Sequence, residues 1–95
     1  MNRLIAVHRD ELLAMARRRG VTSVKVFGSM RAEDGARGDS DVDLLVTLAP
    51  GISALAIGGL ALDAQDLLGR RVDVLTEAGL HHALRERVVA EAVPL

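Results

Sequence analysis

Apolar positions along the chain follow two rhythms, one helical and one alternating. In residues 3–19, Leu4, Ile5, Leu12, Met15 and Ala16 recur at the helical period, with Arg9, Asp10 and Arg17 outside the middle of that arc. This spacing predicts an amphipathic helix, stopped by Gly20 after Arg17-Arg18-Arg19, whose charges favour a helix C-terminus. His8 falls on the same arc and reads as a core-edge residue. Val21 to Phe27 is rich in β-branched residues and reads as a strand. A turn and short helix are expected from Gly28 to near Asp34, then a polar, glycine-bearing loop from Gly35 to Ser40.

Val42 to Leu48 is the most strand-like run, closed by Pro50-Gly51. Residues 54–68 return to the helical period, with Ile57, Leu60, Ala61, Ala64, Leu67 and Leu68 sharing a face. Gly58-Gly59 weakens that helix by roughly 1 kcal/mol per glycine, so the pair implies either close backbone packing or a later start. Gly69 ends the helix, Arg71 to Thr76 reads as a third strand, and Leu80 to Ala92 as a last helix striped by Leu80, Leu84, Val88 and Ala92. The fold class is α/β (α+β), with three strands covered by helices. Residues 1–95 read as one domain without linker, repeat or low-complexity segment.

Composition narrows the function. A net charge of −1 and a single aromatic residue, Phe27, argue against a basic nucleic-acid surface or a base-stacking platform. Cysteine is absent, which removes disulfides, zinc–thiolate sites and thiol nucleophiles and suits a reducing cytoplasm. The longest uncharged run, Leu44 to Leu62, is interrupted by Pro50-Gly51 and Gly58-Gly59. It does not read as a membrane span, and the N-terminus lacks the apolar region of a signal peptide.

Against this background Asp41 and Asp43 stand out, because they open the most apolar strand. Buried carboxylates are costly unless something pairs with them. Two residues apart on a strand, they face the same way with backbones roughly 6.6 Å apart. They can converge on one hard cation, or on two held about 3.5–4 Å apart. Mg²⁺ suits oxygen ligands shared with substrate phosphates. Asp73 lies in similar surroundings, inside RVDVLT, and adds a third acid. Gly28-Ser29 falls where a strand meets a helix start, a place where backbone N–H groups attract phosphate and glycine allows close approach. A phosphate grip opposite a metal platform describes a nucleoside-triphosphate site.

Other readings of these residues fail or are plainer. An EF-hand loop starting at Asp39 would need Gly and Glu where Leu44 and Pro50 stand. Arg37-Gly38-Asp39 spells an adhesion tripeptide but reads as turn chemistry. His81 and His82, being adjacent, point to different faces and read as surface residues near a helix start. Arg70, Arg71, Arg85 and Arg87 read as solvated or partner-facing.

With these residues in place, the chain resembles the minimal nucleotidyltransferase (MNT) family of the polymerase-β-like superfamily. The likeness rests on VKVFGSMR, DSDVDLLV, LLGRRVDVLT and LRERVVAEAVPL, nearly the whole chain. One departure is the spacer: eleven residues, Met30 to Ser40, separate Gly28-Ser29 from Asp41. That is one residue longer than is usual for the family, with the excess expected around Glu33–Gly38.

The resemblance implies a small nucleotidyltransferase fold, a mixed three-stranded sheet packed with some four helices. It implies that Gly28 and Ser29 bind the triphosphate of ATP. Asp41 and Asp43 would hold Mg²⁺, expected as two ions, and Asp73 would complete the metal site and help activate an acceptor hydroxyl. Family members resemble antitoxins paired with a HEPN-domain ribonuclease toxin, some of which transfer AMP to a toxin tyrosine. This chain contains no tyrosine, so such a transfer would act on a partner. A cytoplasmic protein forming a homo- or hetero-oligomer is expected, with no membrane and no direct nucleic-acid contact. The alternatives are an antitoxin that works by binding alone, and transfer to a small molecule or an RNA end.

Overall fold

The structure is a computed structural model in which residues 1–31 and 41–95 are described. The loop expected at Gly35–Ser40, the Arg37-Gly38-Asp39 tripeptide and the long spacer around Glu33–Gly38 lie outside the described residues.

The N-terminal helical pattern forms two helices, α1 (Arg3–Val7) and α2 (Arg9–Arg18). The break falls at His8, whose ring Nδ1 donates to the Leu4 carbonyl at 2.9 Å. That carbonyl would otherwise accept the His8 backbone N–H, which turns instead to Ile5 at 3.2 Å. The apolar arc survives the break: Ile5, Leu12 and Ala16 are all buried.

β1 (Val21–Phe27) leads into a 3₁₀ turn (Gly28–Arg31), and β2 (Val42–Leu48) is followed by α3 (Leu55–Leu68). Gly69, at φ 66°, closes α3 in the left-handed conformation, its N–H donating to Gln65. β3 (Val72–Leu75), a second 3₁₀ turn (Glu77–Gly79), α4 (His82–Glu91) and β4 (Val93–Pro94) complete the chain.

Among the described residues the strands form one mixed sheet in the order β3-β2-β1-β4. β1 is antiparallel to β2 and to β4, whereas β2 and β3 run parallel, joined through α3. The inward residues Val24, Val26, Val42, Leu44, Val46, Val72 and Val74 meet Ile5, Leu12 and Ala16 of α1–α2 and Leu60, Ala64 and Leu68 of α3 in one core.

The fold class matches the expectation, with two differences at the C-terminal end. The sheet gains β4, two residues at the edge beside β1. The last helix starts at His82 rather than Leu80, because Thr76 caps the preceding turn by accepting from Gly79 N–H and Leu80 is extended. Leu80 is buried, but α4 itself buries no residue and Leu84 is 51% exposed. Among the described residues no helix is long and apolar enough to cross a membrane.

Candidate active site

Asp43 owes its position to the two-residue alternation of β2. Val42, Leu44 and Val46 turn into the core, which sends Asp43 to the other face, half-buried. β3 repeats the arrangement, with Val72 and Val74 inward and Asp73 outward. The parallel register pairs Asp43 directly with Asp73, so their backbones stand one strand spacing apart, about 4.8 Å. On the other side, Phe27 pairs with Asp43, and the chain therefore leaves β1 at Gly28 beside the same carboxylate. Asp41 is exposed, two residues earlier at the approach to β2.

Gly28 has a φ of 72°, a conformation that residues with a Cβ rarely adopt. A Cβ built there would lie 2.6 Å from Asp43 Oδ2, closer than atoms can pack. Glycine is thus demanded by the backbone and by the carboxylate lying against it. Ser29 follows, exposed at the head of the turn. Met30 is fully buried and its carbonyl accepts the Asn2 N–H at 2.9 Å, which pins the turn to the core.

Burial pushes the Asp43 carboxyl up from its ordinary value, and the charges of Asp73 and then Asp41 push it further. The three acids therefore share one electrostatic neighbourhood. Their carboxylates do not converge: among the described residues no group of three acidic or histidine side chains is gathered closely enough to hold a metal ion. Arg71 stands at the flank, its Nε 3.9 Å from Asp73 Oδ1.

These residues nevertheless suit a hard cation. Their donors are all oxygen, mutual repulsion at Asp43 is what a cation would relieve, and the missing Cβ of Gly28 makes room for that carboxylate beside the turn. A cavity of about 390 Å³ lined by Val46, Thr47, Leu48, Thr76, Glu77 and Ala78 lies at the other end of β2 and includes none of them.

Sequence reasoning named Gly28, Ser29, Asp41, Asp43 and Asp73, and the fold brings Gly28, Asp43 and Asp73 side by side with Asp41 at the entrance. His81 and His82 are exposed at the start of α4, as expected; His81 Nδ1 accepts the Ala83 N–H at 3.2 Å. Two arginines were not singled out for this site. Arg71 is two residues before Asp73 and shares its side of the strand, so its spacing alone was a usable signal. Arg31, three residues after Gly28, donates from Nε to the Gly28 carbonyl at 3.0 Å.

The nucleotidyltransferase domain family model matches residues 8–95. A protein adenylyltransferase, MntA of Thermococcus cleftensis, is 36% identical over 95% of this chain and 87% of the relative. Among solved structures, a candidate minimal nucleotidyltransferase is similar with a TM-score of 0.85 and 42% identity, over 100% of this chain and 97% of that one. A chain from the complex of tri-AMPylated Shewanella oneidensis HEPN toxin with its MNT antitoxin is similar with a TM-score of 0.69. At 20% identity, over 94% of this chain and 69% of that one, this last likeness concerns the fold alone.

Proposed function

Because this chain belongs to the nucleotidyltransferase domain family, we propose that it is an ATP- and Mg²⁺-dependent protein adenylyltransferase. It acts as an antitoxin by transferring AMP to a partner HEPN ribonuclease toxin. The observation that carries this reading is the row of Gly28, Asp43 and Asp73 across three chain segments, in a chain similar along most of its length to a protein adenylyltransferase.

In the reaction, the acceptor hydroxyl oxygen attacks the α-phosphorus of ATP in line. Its bond to phosphorus forms as the bond to the bridging oxygen breaks, and pyrophosphate leaves. Gly28 and Ser29 hold the triphosphate, the glycine by close backbone approach and the serine through N–H and hydroxyl. Asp41 and Asp43 would hold Mg²⁺, expected as two ions, Asp73 would complete the site, and the Asp73 carboxylate would assist removal of the hydroxyl proton. Bound Mg²⁺ supplies neutralisation of the charge that builds on the phosphates. Positioning of the two reactants supplies much of the remaining acceleration. A tyrosine acceptor would lie in trans, since the chain has no tyrosine of its own. ATP and a ribonuclease partner both place the reaction in the cytoplasm, in a hetero-oligomer with the toxin, and residues 1–95 serve as one catalytic domain.

A second reading, neutralisation by binding alone, draws support from Arg71 beside Asp73 and from carboxylates that stand apart. Co-expression with the toxin separates the two. Wild type is expected to restore growth, and Asp41→Asn/Asp43→Asn is expected to fail despite equal expression. Equal rescue by that variant would favour binding alone.

A further inference from the structure

Arg31 links the phosphate-side turn to the C-terminal helix. Its Nε donates to the Gly28 carbonyl at 3.0 Å, and its Nη2 lies 3.8 Å from Glu91 Oε2 on α4. Glu91 is held in turn by Arg87, whose Nε donates to Oε1 at 3.3 Å. A continuous chain of contacts therefore runs from α4 to the Gly28–Ser29 peptide.

Peptide geometry gives that chain a consequence. The Gly28–Ser29 peptide bond is trans, so the Gly28 carbonyl and the Ser29 N–H point in opposite directions. Fixing the Gly28 carbonyl fixes the direction of the Ser29 N–H. Glycine constrains its own peptide plane least of all residues, and Gly28 cannot gain a Cβ without meeting Asp43. The 3₁₀ turn supplies one backbone restraint on that carbonyl, and the Arg31 guanidinium adds a second donor to it from the side chain. Pairs as exposed as Arg31–Glu91 and Arg87–Glu91 contribute little to stability, so the contact has little value as a fold brace.

We infer that Arg31 is a positioning residue for the nucleotide: it sets the Gly28–Ser29 peptide so that Ser29 meets the triphosphate, with Glu91 steadying the guanidinium from α4. The inference rests on the nucleotidyl-transfer reading and deepens it at the same site. It also assigns α4, which buries no side chain, a part in holding substrate.

AMP-transfer kinetics on the HEPN acceptor, with thermal unfolding alongside, test it in wild type, Arg31→Ala, Arg31→Gln, Glu91→Gln and the Arg31→Ala/Glu91→Gln pair. Arg31→Ala is expected to raise the KM for ATP about fivefold, the effect of one lost hydrogen bond, with kcat little changed. Arg31→Gln keeps an N–H donor without the charge and is expected to recover most of the loss. Glu91→Gln should shift KM the same way by less, and the pair should be no worse than Arg31→Ala, as for residues in one chain of contacts. An unchanged KM in Arg31→Ala, or glutamine behaving like alanine, overturns the inference. A change in the unfolding midpoint alone overturns it too. A wild-type protein that neither binds ATP nor transfers AMP instead overturns the transferase reading beneath it, and this is seen before any variant is compared.

Discussion

Asp43 answers to two opposed demands. It must reach the open face of the sheet to serve the site, yet it grows from a strand whose neighbours are buried and stands beside Asp73. Its carboxyl is therefore raised by burial and by like charge, above its value in the unfolded chain. Between those two values the native state holds more protons than the unfolded state, so stability falls as pH rises through the window. The penalty is complete above the folded value and absent below the ordinary carboxylate range. Asp43→Asn should accordingly unfold at a higher temperature than wild type near neutral pH, the difference vanishing in acid. Mg²⁺ should narrow the neutral-pH gap by relieving the repulsion in wild type alone. Equal midpoints at every pH would contradict this account of the site. At this scale Asp41, Asp43 and Asp73 were legible because an acid in an apolar strand is costly and draws attention. Arg71 reads from sequence only as solvated or partner-facing and Arg31 draws no notice, since one arginine among 12 basic residues means little until register places it beside a partner.

Elements were legible where a periodic face meets the core and less so where a single side chain intervenes. The spacing of Leu4 to Ala16 suggests one helix, but the His8 ring takes the Leu4 carbonyl and divides it. In α3, Gly58-Gly59 raised the question of close packing or a later start, and the two glycines differ. Arg19 lies across the helix to Asp63, with Nε donating to Oδ2 at 2.7 Å and Nη2 to Oδ1 at 3.3 Å. That hydrogen-bonded pair raises Arg19 and lowers Asp63 from their ordinary pKa values. A Cβ at Gly59 would collide with the Arg19 guanidinium, whereas one at Gly58 would meet open space. Gly58→Ala should therefore stabilise by about 0.5–1 kcal/mol, the usual helical gain over glycine. Gly59→Ala should gain clearly less, because Arg19 must give way and its bidentate contact with it. Denaturant unfolding of the two variants checks this, and equal gains would contradict the close-packing explanation. The stripe from Leu80 to Ala92 misled for a related reason: periodicity reports a face without saying that anything covers it.

At the scale of the molecule, the strand order turns separate sequence signals into a site. Asp43 and Asp73 are 30 positions apart, and only a parallel β2–β3 pair in register sets them side by side. Only an antiparallel β1 then delivers Gly28 to the same place. The helix-and-strand order pointed to a small α/β sandwich, and the motif resemblance implied the mixed pairing. The added β4 was beyond reach, because two residues carry no alternation and Pro94 suits an edge. It closes the chain against β1, where Leu95 N–H donates to Val24 at 3.0 Å and Arg9 Nη2 donates to the Leu95 carbonyl at 3.2 Å. The same architecture thus binds the C-terminal segment near the turn that α4 steadies through Glu91 and Arg31. Whether this assembly performs transfer is decided by ATP labelled at the α-phosphate, incubated with Mg²⁺, the protein and its HEPN partner. The account predicts label covalently bound to the partner with wild type, and at least a hundredfold less with Asp41→Asn/Asp43→Asn, the scale of losing a principal charge-stabilising group. Equal labelling by the two proteins, or none by either, would contradict it.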